Sequence, residues 1–398
     1  MALHHAPQRP GGGRDAPAGA PPGGRAGAPW RLAITGGGTG GHIYPALAVA
    51  DEAARRLGPV EVLFIGARGG MEERLVPQHG LRFVGLPVSG LVRKRPLEVA
   101  RSLATLGRAG VLALALVRRF RPHVVVGTGG YAAGPVGLAA AVLRVPLLLQ
   151  EQNAVPGVTN RLLARVAATV VVPFADAASR LPRGCPVLVA GNPVRSGIRG
   201  VERAGARQRM GLPPGGRVVL CMAGSRGSAA FVRLLGEWLP HLQPGTLVFV
   251  SGLAHHQAAE AALAGRALPP GARVRCEPYI DAMGDALAAA DLVICRAGAM
   301  TLADLAAAGR PALLIPSPYV THHHQEENAA VWARAGAAVV LPERDASGRR
   351  LAEEVRALFG RPERLRAMAD AAAGLGEVDA VGRIVERIGA LAGRNERG

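Results

Sequence analysis

The stretch that decides the fold is AITGGGTGGHIYPALAVA, from Ala33 to Ala50. A short apolar run enters a glycine-rich turn, and His42 then opens a segment whose apolar residues recur at helical spacing. A strand, a glycine turn and a helix in this order predict the first unit of a doubly wound parallel sheet. Bare backbone N–H groups at the start of such a helix favour an anionic ligand. The question is what a histidine does directly behind them.

The turn also fits a dinucleotide-binding fingerprint, since Gly36, Gly38 and Gly41 satisfy G-x-G-x-x-G. That fingerprint requires an acidic residue at the end of the second strand to hold the ribose. The predicted second strand ends LFIGARGG and contains no acid, which argues against NAD. No G-K-[ST] follows the turn, which excludes a Walker loop. We therefore predict a turn that binds phosphate or a closely packed sugar.

Short apolar runs alternate with alanine-rich helical stretches along the rest of the chain. Each of two series of predicted strands opens with a strand and a glycine turn, which predicts an α/β chain of two doubly wound, Rossmann-like domains facing a central cleft. The predicted strands are Leu32–Thr35, Val60–Ile65, His123–Val126, Pro146–Leu149 and Val170–Val172 in the first series, and Arg217–Met222, Thr246–Ser251, Val274–Cys276, Leu292–Cys295 and Ala312–Ile315 in the second.

The same patterns divide the chain into four parts. Residues 1–29 are rich in proline and glycine and are predicted to be a disordered tail. Residues 30–194 and 195–376 are the two predicted domains, joined at AGNPVRSG. Residues 377–398 are predicted to form an amphipathic helix, because Val381, Ile384, Val385, Ile388 and Leu391 recur at helical spacing.

Composition narrows the possible classes of protein. The chain has 398 residues, 49% of them apolar, and a net charge of +18 carried almost wholly by arginine. This charge reflects either an anionic partner or a GC-rich genome. Nucleic acid is disfavoured because the arginines are scattered and aromatic residues make up only 4%. The four cysteines lie far apart and are predicted to be buried free thiols in a reducing cytosol.

No secretory signal is recognisable at the N-terminus. The uncharged segment from His123 to Leu143 raises the possibility of a transmembrane span. Its glycines and proline favour a strand, a glycine turn and a helix instead.

Further motifs follow other predicted strands. GTGGYAAGP, from Gly127 to Pro135, is a second glycine turn, and two turns of one parallel sheet should meet at its carboxyl edge. LLLQEQNAVPGVTN places Glu151 and Asn153 just past a strand, where Glu151 is either a solvated loop charge or a functional carboxylate. In the second half, Thr301 and Asp304 form a T-x-x-D capping box, and Asp304 could also reach a ribose. THHHQEEN lacks the usual metal spacings and is predicted to be a loop without a metal site.

Taken together, six segments resemble the MurG family of N-acetylglucosaminyltransferases, in the same order from about residue 30 to the C-terminus. They are GGTGGHIYPALAVA, GTGGYAAGPVGLAA, EQNAVPGVTNRLLA, GNPVR, GSRGSA and RAGAMTLADLAAAGRPALLIP. The resemblance implies the two-domain GT-B fold, with UDP-N-acetylglucosamine bound mainly by the second domain. It implies an undecaprenyl-linked acceptor (lipid I) on the first domain, a C-terminal helix that returns to that domain, and no cofactor.

The resemblance also implies roles for individual residues. Contacts to the donor sugar are implied for Thr39, Gly40, Gly41, Asn153 and Gln325. The nucleotide-diphosphate site would be lined by Arg195, Ser225 and the helix start Ala299, Met300, Thr301, Leu302, Ala303 and Asp304, with Ile280 meeting the uracil through its backbone and Asp304 the ribose. The acceptor-diphosphate loops would contain Gly38, Gly129, Gly130 and Tyr131.

The chain departs from the family pattern in four places. Asp304 stands where the family usually has glutamate and is one methylene shorter. Ala223, Arg226 and Ser228 alter the glycine-rich loop of the second domain, His322 and His323 replace acidic residues, and the proline-rich tail has no counterpart in the family. These departures concern binding of the donor and leave the fold unaffected.

The implied reaction is a single displacement with inversion, for which the acceptor hydroxyl needs a base. A histidine with a pKa near neutral suits this step, so His42 is the candidate and Glu151 its rival. In the alternative interpretation, His42 only caps the helix or orients the loop. No metal site is expected.

A polyprenyl acceptor requires a peripheral position at the cytoplasmic side of the cell membrane. The basic and apolar segment LVRKRPLEVARSLATL is the candidate contact with an anionic leaflet. Two other functions stay open from sequence: a UDP-N-acetylglucosamine 2-epimerase of the same fold, and a paralogue that binds the nucleotide-sugar without turnover.

Overall fold

The computed structural model describes residues 29–88, 96–194, 197–224, 227–320 and 323–395, with the side chains of 96–103, 394 and 395 outside the description. Several predictions therefore concern residues outside the described ranges: the N-terminal tail up to residue 28, Arg195, Ser225, Arg226, His322 and the LVRKR segment.

Strands and helices alternate along the described chain. The strands are β1 Trp30–Thr35, β2 Val60–Ala67, β3 Arg82–Leu86, β4 Val124–Gly127, β5 Leu147–Gln150, β6 Thr169–Val172, β7 Val187–Val189, β8 Val218–Met222, β9 Gly245–Val250, β10 Ala272–Glu277, β11 Leu292–Cys295, β12 Ala312–Leu314 and β13 Ala338–Val340. The helices are α1 Gly40–Leu57, α2 Glu72–Gln78, α3 Pro96–Phe120, α4 Ala133–Val142, α5 Val158–Leu163, α6 Ala175–Ala178, α7 Arg203–Arg209, α8 Ala229–Trp238, α9 His256–Leu263, α10 Met283–Ala289, α11 Ala299–Ala308, α12 His324–Arg334, α13 Gly348–Phe359, α14 Pro362–Gly374 and α15 Ala380–Asn395.

The strands form two parallel sheets with the same winding. The first has the order β3-β2-β1-β4-β5-β6-β7, and the second has the order β10-β9-β8-β11-β12-β13. In each sheet the order reverses once, between β1 and β4 and between β8 and β11. Ligands of doubly wound folds bind at the carboxyl ends of the strands beside such a switch point. The predicted α/β class with two Rossmann-like domains is confirmed.

Every strand predicted from sequence overlaps an observed strand, but β3, β7 and β13 were not predicted. All three lie at the edge of a sheet. An edge strand is covered on fewer sides, so it needs fewer apolar residues: in β3 only Leu86 is buried, and Val187 in β7 is exposed. Two of them are also only three residues long, which is below the length at which periodicity is informative.

Apolar side chains cover both faces of each sheet. The last helix, α15, belongs to the core of the first sheet, where Ile384, Val385, Ile388 and Leu391 are buried with residues of β1, β2 and α1. Arg56 of α1 adds ion pairs to Asp379 just before this helix, at 2.6 Å, and to Glu386 within it, at 3.2 Å. The apolar stripe predicted from residues 381–391 is therefore the face that packs on the first domain.

The uncharged segment from His123 to Leu143 forms β4, the second glycine turn and all of α4, as predicted. Within the part of the chain that the structure describes, no helix combines the length and the hydropathy needed to cross a bilayer.

The prediction of four buried thiols is wrong for two of them. Cys221 and Cys295 are fully buried on the neighbouring strands β8 and β11, and burial raises the pKa of Cys295 to about 12. Burial also raises the pKa of Cys221, still further because Cys295 lies beside it. Cys185 and Cys276 are half-buried, because they lie in a loop before the edge strand β7 and in the edge strand β10.

Candidate active site

The two glycine turns of the first domain are in backbone contact. The turns follow β1 and β4, the two strands that flank the switch point. Gly130 has a φ of +85°, and a Cβ on it would lie 2.4 Å from the carbonyl oxygen of Gly37. The prediction that the turns meet at the carboxyl edge of the sheet is confirmed. The contact leaves no room for any side chain at Gly130.

His42 lies in the first turn of α1, against the second glycine turn. Its Nδ1 is 2.8 Å from the carbonyl oxygen of Thr128 and 3.0 Å from Oε1 of Gln152. Nδ1 must carry the proton because both partners accept: the Gln152 side chain is oriented by its own Nε2, which donates to the same Thr128 oxygen at 2.8 Å. In the neutral ring Nε2 therefore holds the lone pair.

The alternative in which His42 caps α1 does not fit this geometry. The N-cap residue is Thr39, and no described side chain makes a capping hydrogen bond there. The histidine instead holds the second turn through Thr128. Gly129 leaves space for the ring, because a Cβ on it would lie 3.0 Å from Nδ1.

A chain of buried amides continues from His42 to the domain junction, and sequence reasoning missed it. Gln152 contacts Gln150, whose Nε2 donates to Oδ1 of Asn192 at 2.9 Å. Asn192 donates back to the carbonyl oxygen of Gln152 at 2.9 Å. The only signal of this chain in the sequence was the group of amides in QEQN, the motif that was considered for the carboxylate of Glu151. The chain connects the candidate base to the segment just before Arg195.

Glu151 is not a solvated loop charge, because its side chain is 1% exposed. Its carboxylate accepts five N–H groups: the backbone N–H groups of Gln152, Asn153 and Gly157, and the side-chain amides of Asn153 and Asn160, at 2.9 to 3.1 Å. All five partners donate, so the deprotonated form is the one they satisfy. Glu151 therefore anchors the loop after β5, and accepting a substrate proton would disrupt that anchoring.

A second buried carboxylate, Glu72, lies beneath the first glycine turn and was not recognised in the sequence. It is fully buried at the start of α2 and accepts the backbone N–H groups of Ala67 at 2.9 Å and Gly38 at 3.1 Å. A Cβ on Gly37 would lie 1.9 Å from Oε1 of Glu72. The N–H of Gly38, predicted to face an anionic ligand, is thus satisfied within the protein.

In the second domain, α11 begins at the carboxyl edge of the sheet, directly after β11. Its N-cap is Gly298, and no described side chain caps it. The predicted capping box is therefore wrong: Thr301 is the third residue of the helix, and Asp304 lies a turn further, 3% exposed. Gly298 has no side chain that could cap the helix, so the first N–H groups of α11 stay open to an anion.

The loops after β8 and β11 are joined by Arg296, another residue without a sequence prediction. Its guanidinium donates to Oγ of Ser228 at 3.0 Å and to the carbonyl oxygen of Ile315 at 3.1 Å, and it forms an ion pair with Glu343. The departure from the family pattern at Ser228 therefore lies in a contact that orients the loop.

Two other predicted donor contacts lie at the same edge. Ile280 is buried in the core of the second domain, 9% exposed. Gln325 lies in the first turn of α12, and its Oε1 accepts from the backbone N–H of Ser317 at 2.9 Å. The prediction of a loop over THHHQEEN is wrong from His324 onward, where α12 begins, with His323 as its N-cap.

The same helix α12 connects the two domains. The side chain of Asn328 is 1% exposed, and its Oδ1 accepts the backbone N–H of Ala154 at 2.8 Å. Its Nδ2 lies 3.3 Å from Oδ1 of Asn153 and 3.2 Å from the carbonyl oxygen of Ala297. One buried amide thus joins the loop after β5 to the loop before α11.

Two doubly wound domains, one with glycine turns and the other with an open helix start at the carboxyl edge of its sheet, are the architecture of the GT-B fold. Residues 32–172 match the profile of the glycosyltransferase family 28 N-terminal domain, and residues 218–384 match that of the family 28 C-terminal domain. The chain belongs to glycosyltransferase family 28 and, within it, to the MurG group.

The relatives that support this assignment match over almost their full length. The UDP-N-acetylglucosamine–N-acetylmuramyl-(pentapeptide) pyrophosphoryl-undecaprenol N-acetylglucosamine transferase of Desulforudis audaxviator is 42% identical, covering 92% of this chain and 100% of the relative. The enzyme of the same name from Moorella thermoacetica is 44% identical, covering 90% and 98%. The crystal structure of MurG from Acinetobacter baumannii superposes with a TM-score of 0.73 at 29% identity, covering 90% and 99%.

A putative UDP-N-acetylglucosamine 2-epimerase from Listeria monocytogenes also superposes, with a TM-score of 0.65 at 16% identity, covering 90% and 95%. A likeness at this identity shows the shared fold alone.

Proposed function

We infer that the protein transfers N-acetylglucosamine from UDP-N-acetylglucosamine to the 4-hydroxyl of undecaprenyl-diphospho-N-acetylmuramoyl-pentapeptide, converting lipid I to lipid II in peptidoglycan synthesis. The Desulforudis audaxviator and Moorella thermoacetica relatives, whose names describe this transfer, match at 42–44% identity over 90% or more of this chain. The observation that carries the inference is His42, whose protonated Nδ1 is held by Thr128 and Gln152 while Nε2 makes no hydrogen bond to any described residue.

The proposed reaction is one in-line displacement with inversion at the anomeric carbon. Nε2 of His42 takes the proton of the acceptor hydroxyl as its oxygen attacks. The bond to UDP breaks, and the departing diphosphate gains negative charge. The open N-terminus of α11 stabilises this charge without having to reorganise, and Arg195 is proposed to assist.

The remaining residues are proposed to bind and orient substrates. Thr39, Gly40 and Gly41 at the start of α1 would contact the sugars, since a Cβ on Gly41 would meet only Oγ1 of Thr39 among the described atoms and therefore leaves open space. Gln325 would donate its Nε2 to the donor sugar, because its Oε1 is already used by Ser317. Glu151 is assigned to anchoring the loop that carries Asn153.

The direct test supplies the purified protein with radiolabelled UDP-N-acetylglucosamine, with and without a short-chain lipid I analogue. We expect labelled disaccharide-lipid only when the acceptor is present. Conversion of the donor to its 2-epimer without acceptor would instead indicate the epimerase. Tight binding of UDP with neither product would indicate a paralogue without turnover.

We further propose that the protein contacts the cytoplasmic leaflet through the face formed by α3, α4 and α5. The LVRKR segment predicted for this contact lies outside the described residues and directly precedes α3. On this face Val111, Leu138, Val142 and Leu162 are exposed by 57% to 70%. The same helices, and the residues that directly follow them, also carry exposed arginines: Arg108, Arg118, Arg119, Arg144, Arg161 and Arg165. Exposed apolar side chains together with basic ones match an anionic bilayer surface.

Charging this face should weaken membrane binding. Leu138→Glu with Val142→Glu removes two apolar contacts and adds two negative charges, so the partition coefficient should fall at least about tenfold. Co-sedimentation with phosphatidylglycerol–phosphatidylcholine vesicles measures it. Leu253→Glu in the second domain, where the side chain is 71% exposed, is the matched control and should bind as the wild type does. Equal losses in both variants would contradict the proposed surface.

A further inference from the structure

We infer that Asn328 is a positioning residue that sets the register between the acceptor-side loop after β5 and the donor-side loop after β11. The expected effect of Asn328 on the rate of sugar transfer rests on the proposed function. Its structural basis is the buried link between the two domains.

The Asn328 side chain hydrogen-bonds to both domains through its oxygen and its nitrogen. Oδ1 accepts from Ala154 of the first domain, and Nδ2 donates to Ala297 of the second and to Asn153 of the first. At 1% exposure these bonds do not compete with solvent, and leaving a buried partner unsatisfied would be costly. The amide therefore has one orientation in which every group is satisfied.

Both loops joined by Asn328 carry candidate substrate contacts. Ala297 precedes Gly298, the N-cap of α11, so its position sets where the open helix start meets the donor diphosphate. Asn153 is held from two sides, by Glu151 at 3.1 Å and by Asn328 at 3.3 Å. A shift of α12 would therefore move the donor anion site relative to Asn153, and through Gln152 relative to His42.

Helix α12 also offers a donor contact on the same side. Gln325 lies three residues before Asn328, which is one turn of the helix. A donor sugar that contacts Gln325 therefore fixes the helix that carries the link. Binding of the donor would in this way fix the position of the loop after β5 through the single helix α12.

Two exposed ion pairs run between α12 and the first domain beside this link. Glu327 pairs with Arg180 at 2.8 Å, and Arg334 pairs with Asp176 at 2.8 Å, with all four side chains at least 41% exposed. Exposed pairs contribute little, about 0–1 kcal/mol. The buried amide, rather than these pairs, should therefore set the register, and Glu327 serves as the adjacent control.

The experiment compares Asn328→Ala with Glu327→Gln in the full-length protein. We expect Asn328→Ala to lower kcat about 100-fold, the effect of misplacing reactants by about 1 Å. UDP affinity, measured by calorimetry without acceptor, should stay within about twofold of wild type, since Asn328 is not proposed to contact UDP and the start of α11 keeps its own residues. Glu327→Gln should keep both values.

A second measurement does not depend on turnover. Hydrogen exchange of the Ala154 amide should speed up in Asn328→Ala, because its acceptor is lost, and should stay slow in Asn328→Asp, which keeps Oδ1. UDP-N-acetylglucosamine should slow this exchange in the wild type but not in Asn328→Ala. Failure of the wild type to transfer sugar would refute the proposed function, whereas unchanged exchange at Ala154 would refute the link itself.

The positioning role is overturned if UDP affinity falls as far as kcat, because that result describes general damage to the donor domain. It is also overturned if Asn328→Ala and Glu327→Gln have equal kcat.

Discussion

Replacing His42 with alanine should lower kcat for sugar transfer by about 10²–10⁴, the range for loss of a general base. The affinity for UDP should be retained, because the side chain lies in the first domain, against Thr128 and Gln152. Radiolabel transfer to a lipid I analogue measures the rate, and calorimetry measures UDP binding.

His79→Ala is the matched control for this experiment. His79 is an exposed histidine of the same domain that pairs with Asp51 at 3.0 Å, away from the glycine turns. It should transfer sugar at the wild-type rate. Undiminished transfer by His42→Ala would exclude His42 as the base. A second variant, Glu151→Gln, addresses the rival: its amide NH₂ would face N–H donors, so we expect it to lower thermal stability as well as kcat, whereas His42→Ala should lower kcat alone.

Gly130→Ala should abolish transfer. A Cβ there would lie 2.4 Å from the Gly37 carbonyl oxygen, far inside van der Waals contact, and a φ of +85° adds about 1–2 kcal/mol of strain for a residue with a Cβ. The two glycine turns cannot remain in contact, so the Thr128 carbonyl oxygen would shift away from His42. Transfer assays and thermal unfolding measure the two consequences.

Gly110→Ala in α3 is the control for the added methyl group. Nothing described lies within 4 Å of a Cβ at that position, and alanine favours a helix interior by about 1 kcal/mol over glycine. We expect unchanged transfer and equal or higher stability. Full activity of Gly130→Ala would mean that the contact between the turns is not required for catalysis.

The sequence was sufficient for the interior strands of both sheets and for the edge strand β10, but not for the edge strands β3, β7 and β13. Strands such as Leu292–Cys295 are covered on both faces, so their continuous apolar runs identify them. By contrast, β7 and β13 are only three residues long, and β3 buries only Leu86. The apolar stripe of α15 could be predicted because burial along a helix leaves a period in the sequence itself.

For the site, local sequence indicated which loops matter but not which partners they have. Glycine turns and a helix start are contiguous signals, and they were found. The bond from His42 to Gln152 joins residues 110 apart, and that from Asn153 to Asn328 joins residues 175 apart. Neither pair has a spacing that could identify it. For Glu151 the sequence left two interpretations open for a related reason: a carboxylate is recognised by its charge, while its burial depends on donors that only the folded loop brings together.

The docking of α15 has a consequence for synthesis of the protein on the ribosome. The first domain is made first, yet its core includes Ile384, Val385 and Ile388, which are translated only after the second domain. Until they emerge, the nascent first domain exposes the apolar surface of α1 that these residues will cover. At about 5–20 residues per second, this interval spans the translation of the whole second domain. A stop codon before residue 380 would therefore damage the domain that was synthesised first.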